Sequence, residues 1–343
     1  MRKISFCLLL IVSTLASLQA QNPAPASLKT YNNYDFVPGD KILFEDNFSD
    51  DQDGEFPAKW NLESGQGVLN KINDELCFFL TEGNFVKVSP RLKTKSYLTD
   101  PFTVEFDYYV QAEARNGVRL FFECTDETEK IIEFTESGDI TSGYFPKDLD
   151  SSFPGDKDNF AGQWHHVSVI FQKGQIKYYV DQYRAPVMPN TEIVPVSIQI
   201  GGIGDNGNPV IFKNMRLAAG GGMNLVGKKF TDAKIVTHGI NFDYNKATVR
   251  PESIGTLNMI VQVMKDNPEL KFEVGGHTDS DGDANYNLQL SQQRAEAVKK
   301  ALIDLGIASS RLTAKGYGLT KPVSDNNSPE GKANNRRVEF VKL

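Results

Sequence analysis

The segment from Gly276 to Arg294, GHTDSDGDANYNLQLSQQR, holds an acid and a base whose placement could do chemistry. Apolar periodicity predicts a helix over 285–305, stopped by Gly306 at its C′ position. Leu290, Val298, Ala301, Leu302 and Leu305 then share one face, and Arg294, four residues from both Leu290 and Val298, lies on that stripe. A guanidinium stays charged, and stranding one against apolar surface costs on the order of several kcal/mol. Arg294 therefore needs an anion, from the protein or from a ligand, and Asp279 in the preceding loop is the nearest acidic candidate. An acid and a base side by side in one pocket match a zwitterion. The alternative is a purely structural pair, in which Asp279 and Arg294 lock the helix onto a sheet.

This segment carries a family resemblance. GHTD at 276–279, NxxLSxxR at 287–294, GYG at 316–318 and NRRVEF at 335–340 resemble the OmpA C-terminal, peptidoglycan-associating domain, and NFDYNKATVRPES at 241–253 resembles its opening strand and first helix start. The resemblance covers roughly residues 234–343. It implies that Asp279 takes the ammonium and Arg294 the carboxylate at the free end of diaminopimelate in the peptidoglycan stem peptide. Both groups sit on one carbon there; aspartate accepts from the ammonium, and the guanidinium fork holds the carboxylate with two parallel bonds. The resemblance also implies that Asn245, Asn287 and Arg337 line or brace the pocket, with first-turn capping as a second reading of Asn287. Arg336 and Arg337 open the last strand, where alternation sends one to each face. His277 reads as a packed histidine rather than a catalytic one, because no nucleophile motif accompanies it.

Two acidic loops raise calcium. Asp279-Ser280-Asp281-Gly282-Asp283 fails the EF-hand pattern, since Ala284 and Leu290 stand where that loop needs Gly and Glu. Asp50, Asp51, Asp53 and Glu55 read either as a solvated loop or as a structural calcium site. No other cofactor is expected.

The elements that must position this chemistry follow from the rest of the chain. Arg2 and Lys3 precede an apolar run from Phe6 to Leu18, too short to span a bilayer, which reads as a signal peptide over 1–20 cut after Ala20. Residues 21–38 read as a flexible leader. Residues 39–219 read as an all-β domain: Phe102, Val104, Phe106, Tyr108 and Val110 alternate with polar neighbours, as a half-buried strand does. Further strands are expected at 75–80, 118–124, 130–134, 164–172, 175–180, 197–201 and 210–217, with a hairpin turn at Lys173-Gly174. Many short strands point to a two-sheet jelly-roll sandwich. WHHVSVIFQKGQIKYYVDQ at 164–182, IQIGG at 198–202 and VIFKNMRLA resemble concanavalin A-like (laminin G-like) domains, with Gln182 departing from the usual Gly. Residues 220–233, with Gly220-Gly221-Gly222, read as a linker, and 234–343 as an α/β OmpA-like domain with a mixed sheet and packed helices: a strand near 235–242, helix near 251–266, strand near 271–277, helix near 285–305, strand near 312–317, short helix near 329–334 and final strand near 336–342.

Of the 343 residues, 226–343 carry 17 Lys+Arg against 14 Asp+Glu, and 21–225 carry 18 against 30. A net charge near +3 with no basic stripe, beside one near −12, excludes nucleic acid as a partner. Cys77 and Cys124, both in expected strands, either bridge or stay as buried thiols. The all-β domain shows no strand with acids spaced for glycoside hydrolysis; Glu133, Glu136 and Asp139 come nearest, but Ser137-Gly138 interrupts them. Tyr144, Phe145 and Tyr183 are aromatics that could stack on sugars. The expectation is a non-enzymatic envelope protein, periplasmic or outer-membrane-associated and without a transmembrane segment. It would grip peptidoglycan through one domain and present the other to a glycan or an envelope protein. The competing class is a secreted hydrolase anchored to the wall.

Overall fold

The structure, a computed structural model, describes residues 34–111, 117–204, 207–222 and 229–343. The expected signal peptide, most of the leader and linker residues 223–228 lie outside the described residues. Residues 34–38 are described and are not a flexible leader. Tyr34 and Phe36 are buried against Ile170, Tyr179 and Ile254, and Asp35 accepts from Lys177, Tyr179 and Arg184 at 2.7–2.9 Å.

The N-terminal half is built from β1 (Lys41–Asp46), β2 (Trp60–Ile72), β3 (Glu75–Pro90), β4 (Phe102–Tyr109), β5 (Val118–Cys124) and β6 (Glu129–Phe134), followed by β7 (Ile140–Gly143), β8 (Trp164–Gln172), β9 (Gln175–Val180), β10 (Tyr183–Arg184), β11 (Pro195–Gly204) and β12 (Val210–Ala219). Their pairing is antiparallel throughout and forms one sheet in the order β10-β9-β8-β4-β12-β3-β11-β5-β6-β7, with β1 on β12 and β2 on β3. The two separate sheets expected of a jelly roll are replaced by this single curled sheet, a half-barrel. The cause is β3. Its first part pairs with β12 (Leu80 to Val210) and its second with β11 (Val88 to Ile200), while register shifts against β2 bend it. One long strand thus carries the hydrogen bonding round a core of Phe44, Phe48, Trp60, Phe78 and Phe212. Lys173 and Gly174 both have positive φ, as a tight hairpin turn requires. Cys77 and Cys124 are buried free thiols.

The C-terminal domain follows the expected alternation: β13 (Lys234–Thr237), α1 (Ile254–Asp266), β14 (Phe272–His277), α2 (Ala284–Asp304), β15 (Leu312–Gly318), α3 (Pro329–Asn335) and β16 (Val338–Lys342). The sheet order is β13-β16-β14-β15, with β14 and β15 parallel and the remaining pairs antiparallel. The connection from β14 through α2 to β15 is the crossover that a parallel pair needs. β13 ends five residues earlier than expected, and β16 starts two later, because Arg336 and Arg337 form the corner after α3.

The two domains dock through charge. β4 is buried on both faces: Phe102, Val104 and Phe106 enter the core, while Thr103, Glu105 and Asp107 lie buried on the other side. Asp107 meets Arg250 at 3.4 Å, and Arg250 meets Glu252 at 2.6 Å. His166 on β8 sits between Asp107 (2.6 Å) and Glu105 (3.6 Å). Burial disfavours its imidazolium, but the two carboxylates outweigh that and raise its pKa to about 10. Burial likewise opposes ionisation of Asp107, yet His166 and Arg250 hold its carboxyl well below the usual range.

The pH dependence follows in sign. The Asp107 contribution is complete above the ordinary carboxylate pKa of about 4 and is lost as acid reaches its lowered value. The His166 contribution is complete below the ordinary imidazole pKa of about 6.5 and is lost as pH rises towards about 10. Thermal unfolding should therefore show greatest stability near pH 5–6.5 and a decline above it, roughly speaking. His166→Ala should be less stable and should lack that alkaline decline.

Candidate functional site

The expected site lies where β14 passes into α2. Two glycines let the helix lie directly on the strands: a Cβ at Gly276 would meet the Ser291 carbonyl oxygen at 2.3 Å, and one at Gly316 would meet the Gln292 backbone nitrogen at 2.4 Å. This close approach explains the glycines of GHTD and GYG. Asp283 caps α2, accepting from the Tyr286 N–H at 2.9 Å, and Gly306 ends it with φ +98° while the Ile307 N–H bonds back to Leu302. Replacing either Gly276 or Gly316 with Ala should lower stability by about 2 kcal/mol or more, read as a shift in the denaturant midpoint.

Asp279 is buried in the loop between strand and helix, and its Oδ1 accepts from the Asp281 N–H at 3.1 Å. The expected contact with Arg294 does not form. Instead Arg336 Nη1 donates to Asp279 Oδ2 at 2.5 Å. Arg294, half-buried, donates through Nε to the Lys246 carbonyl at 3.0 Å, and its guanidinium lies 4.9 Å from the centre of the Phe242 ring. Among the described residues it makes no salt bridge, which leaves its fork directed at no protein carboxylate. Burial lowers the pKa of Arg294; the charge of Arg336 adds to this while Tyr286 and Asp279 oppose it, so all of these groups share one electrostatic environment.

The other expected residues divide. Asn287 is buried and donates to the Asp281 carbonyl at 2.7 Å, tying the loop to the helix; the cap is Asp283, so the capping reading is corrected. Arg337 is buried and braces the domain through the Lys321 and Asn335 carbonyls and Glu339. Asn245 is exposed, and its φ of 53° shapes the turn that presents the Lys246 carbonyl. His277 stacks on Tyr317 at 5.0 Å, and burial together with Arg337 lowers its pKa to about 4, as expected of a packed neutral histidine. Sequence reading missed Arg336 as the partner of Asp279. The NRR doublet was the available signal, since alternation turns Arg337 inward and leaves Arg336 to the other face.

Of the acids of 46–60, Asp46 and Asp50 hold Lys59, and Asp51 accepts from the Ala58 N–H. Among the described residues no group of three or more His, Cys, Asp or Glu is arranged to hold a metal ion, and no helix is long and apolar enough to cross a membrane.

A second candidate surface lies on the N-terminal sheet. Glu63, Ser64, Lys87, Glu123, Glu129, Ile131, Tyr144 and Gln199 line an open groove of about 710 Å³. It crosses five strands on the side opposite the core, since Val88, Phe122, Ile132 and Ile198 beside these residues point inward. Tyr144 is 72 % exposed, whereas Phe145 is buried and Tyr183 packs on Phe153. Glu123 and Glu129 face each other across β5 and β6; burial and the neighbouring Glu129 raise the Glu123 pKa. Of the acids singled out from sequence, Glu133 is paired with Arg119 and Asp139 with Lys157.

The C-terminal fold and site thus define an α/β domain in which a strand-to-helix loop holds an acid beside basic residues from a helix and a strand corner. Residues 241–336 match the OmpA family and are an OmpA C-terminal domain. Over 100 residues the chain is 47% identical to outer membrane porin F of Pseudomonas fluorescens, covering 29% of this chain and 31% of that protein. It is 42% identical over 102 residues to the probable lipoprotein YiaD of Escherichia coli (30% and 47% covered). It is 36% identical over 102 residues to the peptidoglycan-binding protein ArfA of Mycobacterium bovis (30% and 31% covered). The chain spans less than half the length of these relatives, and the OmpA family match does not include the N-terminal sheet.

Proposed function

We propose that this chain is a cell-envelope adaptor whose OmpA domain binds peptidoglycan non-covalently. Asp279 receives the ammonium and Arg294 the carboxylate at the free end of the stem-peptide diaminopimelate, and Arg337, Asn287 and the Asn245 turn brace them. The observation that carries the reading is Arg294. Among the described residues only its Nε is bonded, to Lys246, so the two terminal amino groups can meet a ligand carboxylate without breaking a protein ion pair. That one relative is named as a peptidoglycan-binding protein supports the same ligand class. The compartment in this reading is the periplasm or the inner side of the outer membrane, reached through the signal peptide read at 1–20.

The reading is tested by co-sedimentation of the mature protein with diaminopimelate-type peptidoglycan. Asp279→Ala and Arg294→Ala should bind about ten- to hundredfold more weakly, since each loses charge-assisted bonds worth about 1.5–3 kcal/mol. Arg294→Lys should keep the charge yet recover little, because an ammonium lacks the fork. Equal retention of wild type and all three variants, each folded by circular dichroism, would remove the clamp.

In this reading the curled N-terminal sheet is non-catalytic and offers its groove to a glycan. Exposed Tyr144 supplies a stacking face, and Lys87, Gln199 and the glutamates supply hydrogen-bonding groups. A hydrolase is the second reading, favoured by the raised Glu123 pKa. Against it, Glu123 and Glu129 bond to each other and Glu129 is paired with Lys87. Glycosidase carboxylates instead stand about 5–9.5 Å apart across the bond to be cut. Tyr144→Ala should weaken retention in polysaccharide affinity gels by about five- to tenfold, as an aromatic face contributes on the order of 1 kcal/mol. Release of reducing ends by wild type and its loss in Glu123→Gln would establish the hydrolase instead.

A further inference from the structure

Arg336 reaches both domains with one guanidinium. Nη1 donates to Asp279 Oδ2 at 2.5 Å, and Nη2 donates to Glu45 on β1 of the N-terminal sheet. Glu45 is itself held by Arg216, through Nε at 2.9 Å and Nη2 at 2.7 Å. Arg216 continues into the OmpA domain, donating to the His238 carbonyl at 3.2 Å and to Asn241 Oδ1 at 2.8 Å. Beside this chain, Asn334 of α3 bonds both the N–H and the carbonyl of Ile42, so β1 and α3 are joined at backbone level.

We propose that Glu45, a residue of the N-terminal sheet, is a positioning residue of the clamp: it draws Arg336 off Asp279 so that a ligand ammonium can take the aspartate. The proposal rests on the clamp reading above. In the structure both Asp279 oxygens are engaged, Oδ1 by the Asp281 N–H and Oδ2 by Arg336 Nη1, so an arriving ammonium competes with Arg336 for Oδ2. Arg336 yields that oxygen when ligand enters. It can do so because its side chain is 41% exposed, whereas that of Arg337 is 2% exposed and fixed. Glu45 gives it a second carboxylate, so Arg336 moves without leaving an ion pair for water. The exchange puts the ammonium on Asp279 and the whole guanidinium on Glu45. Since Glu45 sits on β1, ligand entry also tightens the contact between β1 and α3. By linkage, occupancy of the clamp and docking of the two domains favour each other by the same factor.

The test is calorimetric titration of the mature two-domain chain with a muropeptide ending in diaminopimelate, for wild type, Asp279→Ala, Glu45→Ala, Glu45→Asp and the double variant Glu45→Ala/Arg336→Ala. Glu45→Ala should bind about tenfold more weakly, within the usual range of coupling between sites. Glu45→Asp should recover part of the loss. The double variant should bind more tightly than Glu45→Ala, because the competing cation is gone; a merely architectural Glu45 would leave it as weak or weaker. Wild-type affinity in Glu45→Ala, or a double variant no better than the single one, would overturn the proposal. If wild type binds and Asp279→Ala does not while Glu45→Ala matches wild type, only this inference falls. If wild type itself fails to bind, the clamp reading falls and takes the inference with it.

Discussion

Carboxylates of the N-terminal sheet, neutralised by cations from both domains, hold this molecule together. Glu45, Glu105 and Asp107 all lie on strands of the N-terminal sheet, away from its aromatic core, and each faces Arg or His. Half of those cations, Arg250 and Arg336, belong to the OmpA domain. Separating the domains would leave Asp107 and Glu45 without the Arg250 and Arg336 guanidinium groups that offset their burial. The sheet and the OmpA domain are therefore a docked pair rather than beads on a string. The buried Tyr34 and Phe36, wedged against Tyr179 and Ile254, complete the seal.

The same economy of space builds the pocket. α2 can lie on β14 and β15 only because Gly276 and Gly316 have no side chain, and that contact sets where Arg294 emerges relative to Asp279. Arg337 anchors the strand corner through backbone carbonyls, and Arg336 is the more exposed member of the doublet. Arg336 is bonded to Asp279 while Arg294 is bonded to a carbonyl, so the site is asymmetric before any ligand arrives.

Much of this was legible in the residues themselves. Helix α2, its Gly306 stop, the alternating β4 and the Lys173-Gly174 hairpin follow from local periodicity and turn chemistry, which act over a few residues. The strand-helix alternation of the C-terminal domain was legible for the same reason. The pairing of Asp279 was not. Its partner Arg336 lies 57 residues away, and the second carboxylate that Arg336 holds, Glu45, lies 291 residues from Arg336, in the other domain. The single curled sheet was also hidden, because the strand pattern does not say that β3 pairs with β12 at one end and β11 at the other.

By itself the sequence determined the element types, the OmpA assignment of residues 241–336 and the acid and base on which the proposed function rests. These depend on spacing along the chain and on side-chain chemistry. Tertiary structure alone decided which cation meets which anion. A charge pairs with whatever opposite charge the fold brings within about 3–4 Å, and in this protein the docking of two domains supplies that neighbour.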